Sequence, residues 1–213
     1  MPRHSFAAWR LLVAVGLLGL APLAQANDGV GFVATQFAAI AQLIVIVGYL
    51  VGFVLFGIGI YGFKRWGENP NSFPLSRAVM SCIAATLLLT LGATYDIVMR
   101  STIDPGFSGS DSRHALALSA DALRIDSSSN SIFSEYLPEH TIAVILGFIF
   151  VVGLYNFVKG IYLLKNIGAS QQQQEGTIAK PLTHIIGGIL AMNINVFSCI
   201  LANIIGFSGI CIG

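Results

Sequence analysis

From Ala38 to Phe63 the chain carries no charged side chain. Crossing the hydrocarbon layer of a bilayer takes about 20 mostly apolar residues, and an uncharged run of this length is hard to place anywhere else. Three further stretches have the same character, roughly Leu75 to Val98, Thr141 to Leu164 and Leu182 to Ile205. Charged residues make up 10% of the chain and mean hydropathy is +0.78. A soluble domain carries roughly 25% charged residues, so a water-facing surface could not be covered here. The sequence predicts an all-α membrane protein with four transmembrane helices.

The four stretches form two copies of one unit. Gly59-Ile60-Tyr61-Gly62-Phe63-Lys64 is echoed by Gly160-Ile161-Tyr162-Leu163-Leu164-Lys165. Pro74-Leu75-Ser76-Arg77 is echoed by Pro181-Leu182-Thr183-His184, and Gly106-Phe107-Ser108-Gly109 by Gly206-Phe207-Ser208-Gly209. Two copies are too few for a solenoid but suit a duplicated helical hairpin. The expected layout is a signal peptide over 1–26, a first hairpin over 27–98, an outer segment over 99–140 and a second hairpin over 141–213.

Residues 1–26 have the parts of an export signal. Arg3 and Arg10 are basic, Leu11 to Leu20 is apolar, and Ala24-Gln25-Ala26 ends it with small residues. Cleavage is expected after Ala26; the alternative is an uncleaved anchor. Residues 27–37 are mildly amphipathic and suit the membrane interface. With the mature N-terminus outside, four crossings put the loops near 64–77 and 165–183 in the cytoplasm. They put 99–140 and the C-terminus in the periplasm. Lys64, Arg65, Arg77, Lys165 and Lys180 all fall in the proposed inner loops, as the positive-inside rule requires. Lys64, Arg65 and Lys165 mark the points of cytoplasmic exit. Arg77 and Asp96 sit near span ends and are expected to reach the interface. The outer segment contains a stretch, Ala115 to Ile125, with the spacing of a short helix. Gln171 to Gln174 reads as part of a solvated linker.

Helix packing is the chemistry these spans advertise. Gly48-x-x-x-Gly52 and Gly57 on the first, and Gly187 and Gly188 on the fourth, are small residues that let backbones approach. The bland alternative is ordinary glycine usage in membrane helices. Asn193 and Asn195 are polar for a lipid-facing helix and suit hydrogen bonds between helices. They are also the candidates for a transporter site, with no ionisable partner evident at their depth.

Other chemistries lack their signatures. There is no G-x-x-x-x-G-K-[ST] and no H-E-x-x-H, which argues against nucleotide-driven and zincin activity. Ser108 and Ser208 fall outside the spans, unlike the serine of an intramembrane protease. Net charge is +1, which gives no footprint for direct nucleic-acid binding. Cys82, Cys199 and Cys211 have no metal-ligand spacing; Cys199 and Cys211 could pair only if the chain folds back at Gly206 or Gly209. No catalytic, cofactor or metal site is expected.

A signal sequence, Ala41-Gln42-Leu43-Ile44 opening the first span, the Gly59–Lys64 run and the Asn69-Pro70 to Pro74 loop carry a family likeness. So does Pro181 to Asn193 in the second half. With its two hairpins the chain resembles the IcmC/DotE-like proteins of the Dot/Icm type IVB secretion system. These are related to one-hairpin IcmD/DotP-like proteins and to TraQ-like and TraR-like proteins of IncI-type conjugative plasmids. The likeness covers the spans and short loops, and leaves 99–140 unmatched. It implies an integral component of the bacterial inner membrane that is not an enzyme. Its partners would be the lipid bilayer, other membrane subunits of the secretion apparatus and further copies of itself. Two alternatives from other classes are a pilin-like subunit of a conjugative pilus and a small membrane channel or transporter.

Overall fold

The computed structural model describes residues 29–71, 73–102, 116, 138–169 and 178–206. The expected signal peptide, the Ala115–Ile125 helix apart from Leu116, the glutamine tract and Cys211 lie outside the described residues. Regular structure among the described residues is entirely helical. Helix α1 spans Gly29–Glu68, α2 Leu75–Leu89, α3 Leu91–Thr102 and α4 Glu139–Leu163. A short 3-10 helix, Leu164–Ala169, follows, then α5 over Ala179–Met192 and α6 over Ile194–Ile205.

Two elements, Gly29–Glu68 and His140–Ile167, are straight, long and apolar enough to cross a membrane. At 1.5 Å per residue, α1 is about 60 Å long, twice a hydrocarbon layer of about 30 Å, so it must project beyond it. It takes in residues 29–37, which the sequence suggests as a separate interfacial piece. The second and fourth expected spans are not straight. α2 and α3 meet at 92° and α5 and α6 at 91°, so the described residues hold two helices long and apolar enough to span, or up to four if each bent pair crosses as one.

The bends have local causes. Thr86, Thr90 and Thr94 stand four residues apart. The Thr86 and Thr90 hydroxyls donate to the carbonyls four residues back, at 2.9 and 2.8 Å. Such back-bonding bends helices and lowers the cost of a break. Thr90 leaves helical geometry with φ −110° and ψ 38°, and the Thr94 hydroxyl takes up the Leu87 carbonyl at 3.1 Å. The second bend is built on asparagine. Asn193 adopts φ −113° and ψ 41°, and both its backbone N–H and its side-chain amide donate to the Ile189 carbonyl. Gly206 then closes α6 at φ 75°, a left-handed turn that glycine takes without a Cβ penalty. Gly206 is one of the two alternative fold-back points expected for a disulfide at Cys199. Cys199 is disulfide-bonded and Cys82 is a free thiol.

The helices pack as α1 on α2, α4 on α5, and α1 on α4. Phe157, Leu88, Leu91, Leu154, Ile161 and Ile189 are the largest fully buried side chains, and Leu116 joins their cluster. A second cluster ties the start of α1 to the start of α4 through Val33, Ala34, Ile142, Ala143 and Leu146. Glycines set the closest approaches. Gly59 lies against Cys82 and the Ala78 carbonyl, and Gly52 against Leu88 and the Ala85 carbonyl. In the other hairpin Gly160 lies against Ile185 and the Pro181 carbonyl, and Gly153 against Met192 and the Gly188 carbonyl. Position for position, Pro181 is the counterpart of Ala78. The repeated Pro-Leu-[Ser/Thr] motif, which pairs Pro181 with Pro74, is therefore out of step with the packing by about one helical turn. Pro74 caps α2 from outside, whereas Pro181 is buried within the first turn of α5.

Candidate functional site: a polar junction between two helix breaks

The two breaks meet. Tyr95, in the second turn of α3, donates its hydroxyl to the side-chain carbonyl of Asn193 at 2.9 Å. This bond joins the corner of one hairpin to the corner of the other. The Tyr95 ring is buried and stands edge-on to Phe157 of α4, with centroids 6.3 Å apart and planes at 82°. An aromatic pair of that geometry adds about 0.5–1.5 kcal/mol to its area burial. Around it lie further buried polar groups. Thr94 is held by Leu87, and Ser198 of α6 donates to the Asn195 carbonyl at 2.8 Å. Asp96 follows Tyr95 and is only 7% exposed. Its Oδ1 is buried and has no hydrogen-bond partner among the described residues.

This placement revises two expectations. Asp96 does not reach an interface; the right-angle turn at Thr90 brings it back against the core. Asn193 does have an ionisable neighbour, Tyr95, which the sequence places in a different span. The signal that could have found the junction was the Thr86, Thr90, Thr94 spacing followed at once by Tyr95-Asp96 in an otherwise apolar stretch.

The glycines named from sequence separate by what they face. Gly48 has Val158 of α4 and Leu91 of α3 beside it, Gly52 faces α2, and Gly188 sits against the Phe157 backbone and the Gly153 carbonyl. Gly57 and Gly187 have nothing within 4 Å. They take no part in packing among the described residues. Asn193 forms the Tyr95 bond, and Asn195 is half-buried on the first turn of α6.

The basic residues expected at the membrane exits form a different arrangement, away from the junction. Lys64 pairs with Glu68 at 3.8 Å on the exposed last turn of α1. The guanidinium groups of Arg65 and Arg77 each lie 5.6 Å from the centre of the Phe73 ring, so one aromatic is clasped from both sides of the turn. Lys165 lies over Tyr162 at 3.6 Å, and Lys159, which is exposed, over Tyr155 at 5.9 Å. Exposed contacts of this kind are worth about 0.5–1 kcal/mol each.

Compared with known proteins, the chain matches no family model, no curated protein and no solved structure.

Proposed function

We propose that the chain is an integral inner-membrane structural component of a type IVB (Dot/Icm-like) secretion or conjugative transfer apparatus. On this reading a cleaved signal over 1–26 leaves the mature N-terminus outside. Two duplicated hairpins then cross with Lys64, Arg65 and Lys165 in the cytoplasm. Residues 99–140 and the C-terminus lie in the periplasm. The protein works by assembly: its helices pack with each other and with helices of other subunits or of further copies of itself.

The observation that carries this reading is the surface of α1. The most apolar stretch of this helix is 22% buried, against 39% for α4. Leu50, Phe53 and Val54 are 62, 71 and 59% exposed. In a membrane this long apolar face is covered by lipid or by neighbouring helices, and Gly57 supplies a point of close approach with open space beside it. The matched glycine contacts of the two hairpins support the duplication.

Photo-crosslinking from Phe53 in cells, followed by detergent extraction and mass spectrometry, tests the proposal. Adducts to membrane subunits of a secretion machine are expected. Adducts to lipid alone, with no secretion subunit recovered in a parallel affinity pull-down, would refute it. A second reading, a small membrane channel or transporter, is favoured by the two bent pairs, since broken helices commonly frame transport sites.

A further inference from the structure

The depth of the junction follows from the glycine contacts. Gly52 lies against Leu88 and Leu89, just before the Thr90 break, and Gly153 against Ala191 and Met192, just before Asn193. Each glycine stands 12 residues before the lysine at its helix exit, Lys64 or Lys165. That is about 18 Å along the axis at 1.5 Å per residue. Measured instead from the exposed Lys159, the distance is roughly 9 Å. Either way both breaks fall inside a hydrocarbon layer about 30 Å thick. Asp96 follows the Thr90 break by six residues, at most about 9 Å of helix, so it stays near that depth whichever way α3 runs.

Among the described residues Asp96 is the buried member of the charged set. The groups around the junction are Tyr95 of α3, Asn193 at the second break, Phe157 of α4, and Leu88 and Met192 of the cluster that buries Tyr95. Among the described residues the ion pair is Lys64 with Glu68, and no described cation pairs with Asp96. Arg100, one turn further on, is exposed. A bare carboxylate in hydrocarbon is strongly disfavoured and marks ion or proton pathways where it occurs. Among the described residues no three His, Cys, Asp or Glu side chains gather, so the donor set is poor for a divalent metal. One carboxyl is enough for a proton; a single alkali ion would need further oxygens, and the Tyr95 hydroxyl and the Asn193 side-chain oxygen meet at the same junction.

We propose that Asp96 is the carboxyl of an intramembrane site for one small monovalent cation, a proton or a sodium ion, held where the two helix breaks meet. The inference rests on the membrane reading and not on assembly with partners. The Tyr95–Asn193 bond fixes the two corners together, so occupancy at Asp96 is felt by both hairpins.

Carbodiimide labelling of the full chain in phosphatidylcholine vesicles tests this. Dicyclohexylcarbodiimide enters lipid and adds to a protonated carboxyl. The acid proton moves to one reagent nitrogen, the carboxyl oxygen bonds the central carbon, and migration of the acyl group to nitrogen leaves a stable N-acylurea with no group lost. We expect peptide mapping to find this adduct at Asp96 and not in Asp96→Asn. If the occupant is a proton, the rate falls about tenfold per pH unit once the carboxyl is mostly ionised. If it is sodium, added sodium slows labelling where choline does not. Absence of an Asp96 adduct from acid to alkaline pH would overturn the proposal, as would a rate indifferent to both pH and sodium. A water-soluble carbodiimide should label Glu68 and spare Asp96. Equal labelling of the two would place Asp96 in water and so overturn the membrane reading itself.

Discussion

Gly187 and Gly188 are neighbours in sequence but opposite in circumstance, and substituting each with alanine separates packing from propensity. A Cβ on Gly188 would stand 2.6 Å from the Phe157 nitrogen, 2.7 Å from the Gly153 oxygen and 2.9 Å from the Phe157 Cα. All three are backbone atoms, so no side chain can swing aside. Restoring an ordinary 3.4 Å contact requires α4 and α5 to part locally by about 0.8 Å. Overpacking of this kind costs about 1–3 kcal/mol, and here the upper half of that range is expected because backbone must move. Gly187→Ala meets nothing within 4 Å and gains the helix preference of alanine, about 0.5–1 kcal/mol. Gly188→Ala gains the same preference, so it cancels, and the two variants should differ by about 2–3 kcal/mol. At roughly 2–4 °C per kcal/mol for a chain of this size, Gly188→Ala should melt at least several degrees below Gly187→Ala when unfolding is followed by circular dichroism in detergent. Gly153→Ala should resemble Gly188→Ala, and the double variant should cost less than the sum, because the helices part only once. Equal melting of Gly187→Ala and Gly188→Ala would refute the packing argument.

Tyr95→Phe should cost about 0.5–1.5 kcal/mol through loss of the Asn193 bond, and a double-mutant cycle with Asn193→Leu should show that the two effects share one interaction. Thr94→Val keeps the side chain's shape but strips the partner from the Leu87 carbonyl, so a loss of about 1–3 kcal/mol is expected in the same melts. Gly147→Ala should be milder than Gly188→Ala, because the obstruction is the Phe37 ring and not backbone; similar losses would count against that distinction. Maleimide should modify Cys199 in the unfolded chain only after reduction, and Cys82 with or without it; prompt labelling of Cys199 without reductant would contradict the disulfide.

The apolar stretches were legible because run length and lack of charge are conditions that lipid imposes on composition alone. The right-angle bends were not. Leu88, Leu89 and Leu91 keep the run apolar straight through Thr90, and hydropathy carries no direction. Only the threonine spacing hints that carbonyls near the break have partners other than backbone. Asp96 was misplaced for the same reason: its distance along a straight span puts it at an interface, and the bend returns it to the core. The glycines show another limit. Gly52 and Gly57 look alike in sequence, yet one faces α2 and the other open space, since the face a residue presents depends on how the helix is rotated. Of the residues the repeat pairs, Gly59 and Gly160 make matching contacts, whereas Pro181 occupies the place of Ala78 and not that of Pro74.

A break inside a membrane helix frees backbone groups that lipid cannot satisfy, and each one left bare costs several kcal/mol. This chain has two helix breaks in apolar stretches and places them against each other. At the first, the Thr94 hydroxyl takes the Leu87 carbonyl; at the second, the Ile189 carbonyl accepts both the backbone and the side-chain N–H of one asparagine. That asparagine has its side-chain oxygen left over, and Tyr95 from the other corner donates to it. Satisfying the backbone of one break thus creates the acceptor that docks the other. Neither corner would be complete alone, and a straight helix would need none of these groups. Packing by itself therefore does not account for the bends. Polar side chains are gathered between otherwise apolar helices, and buried Asp96 adds a cost that a purely structural corner has no use for.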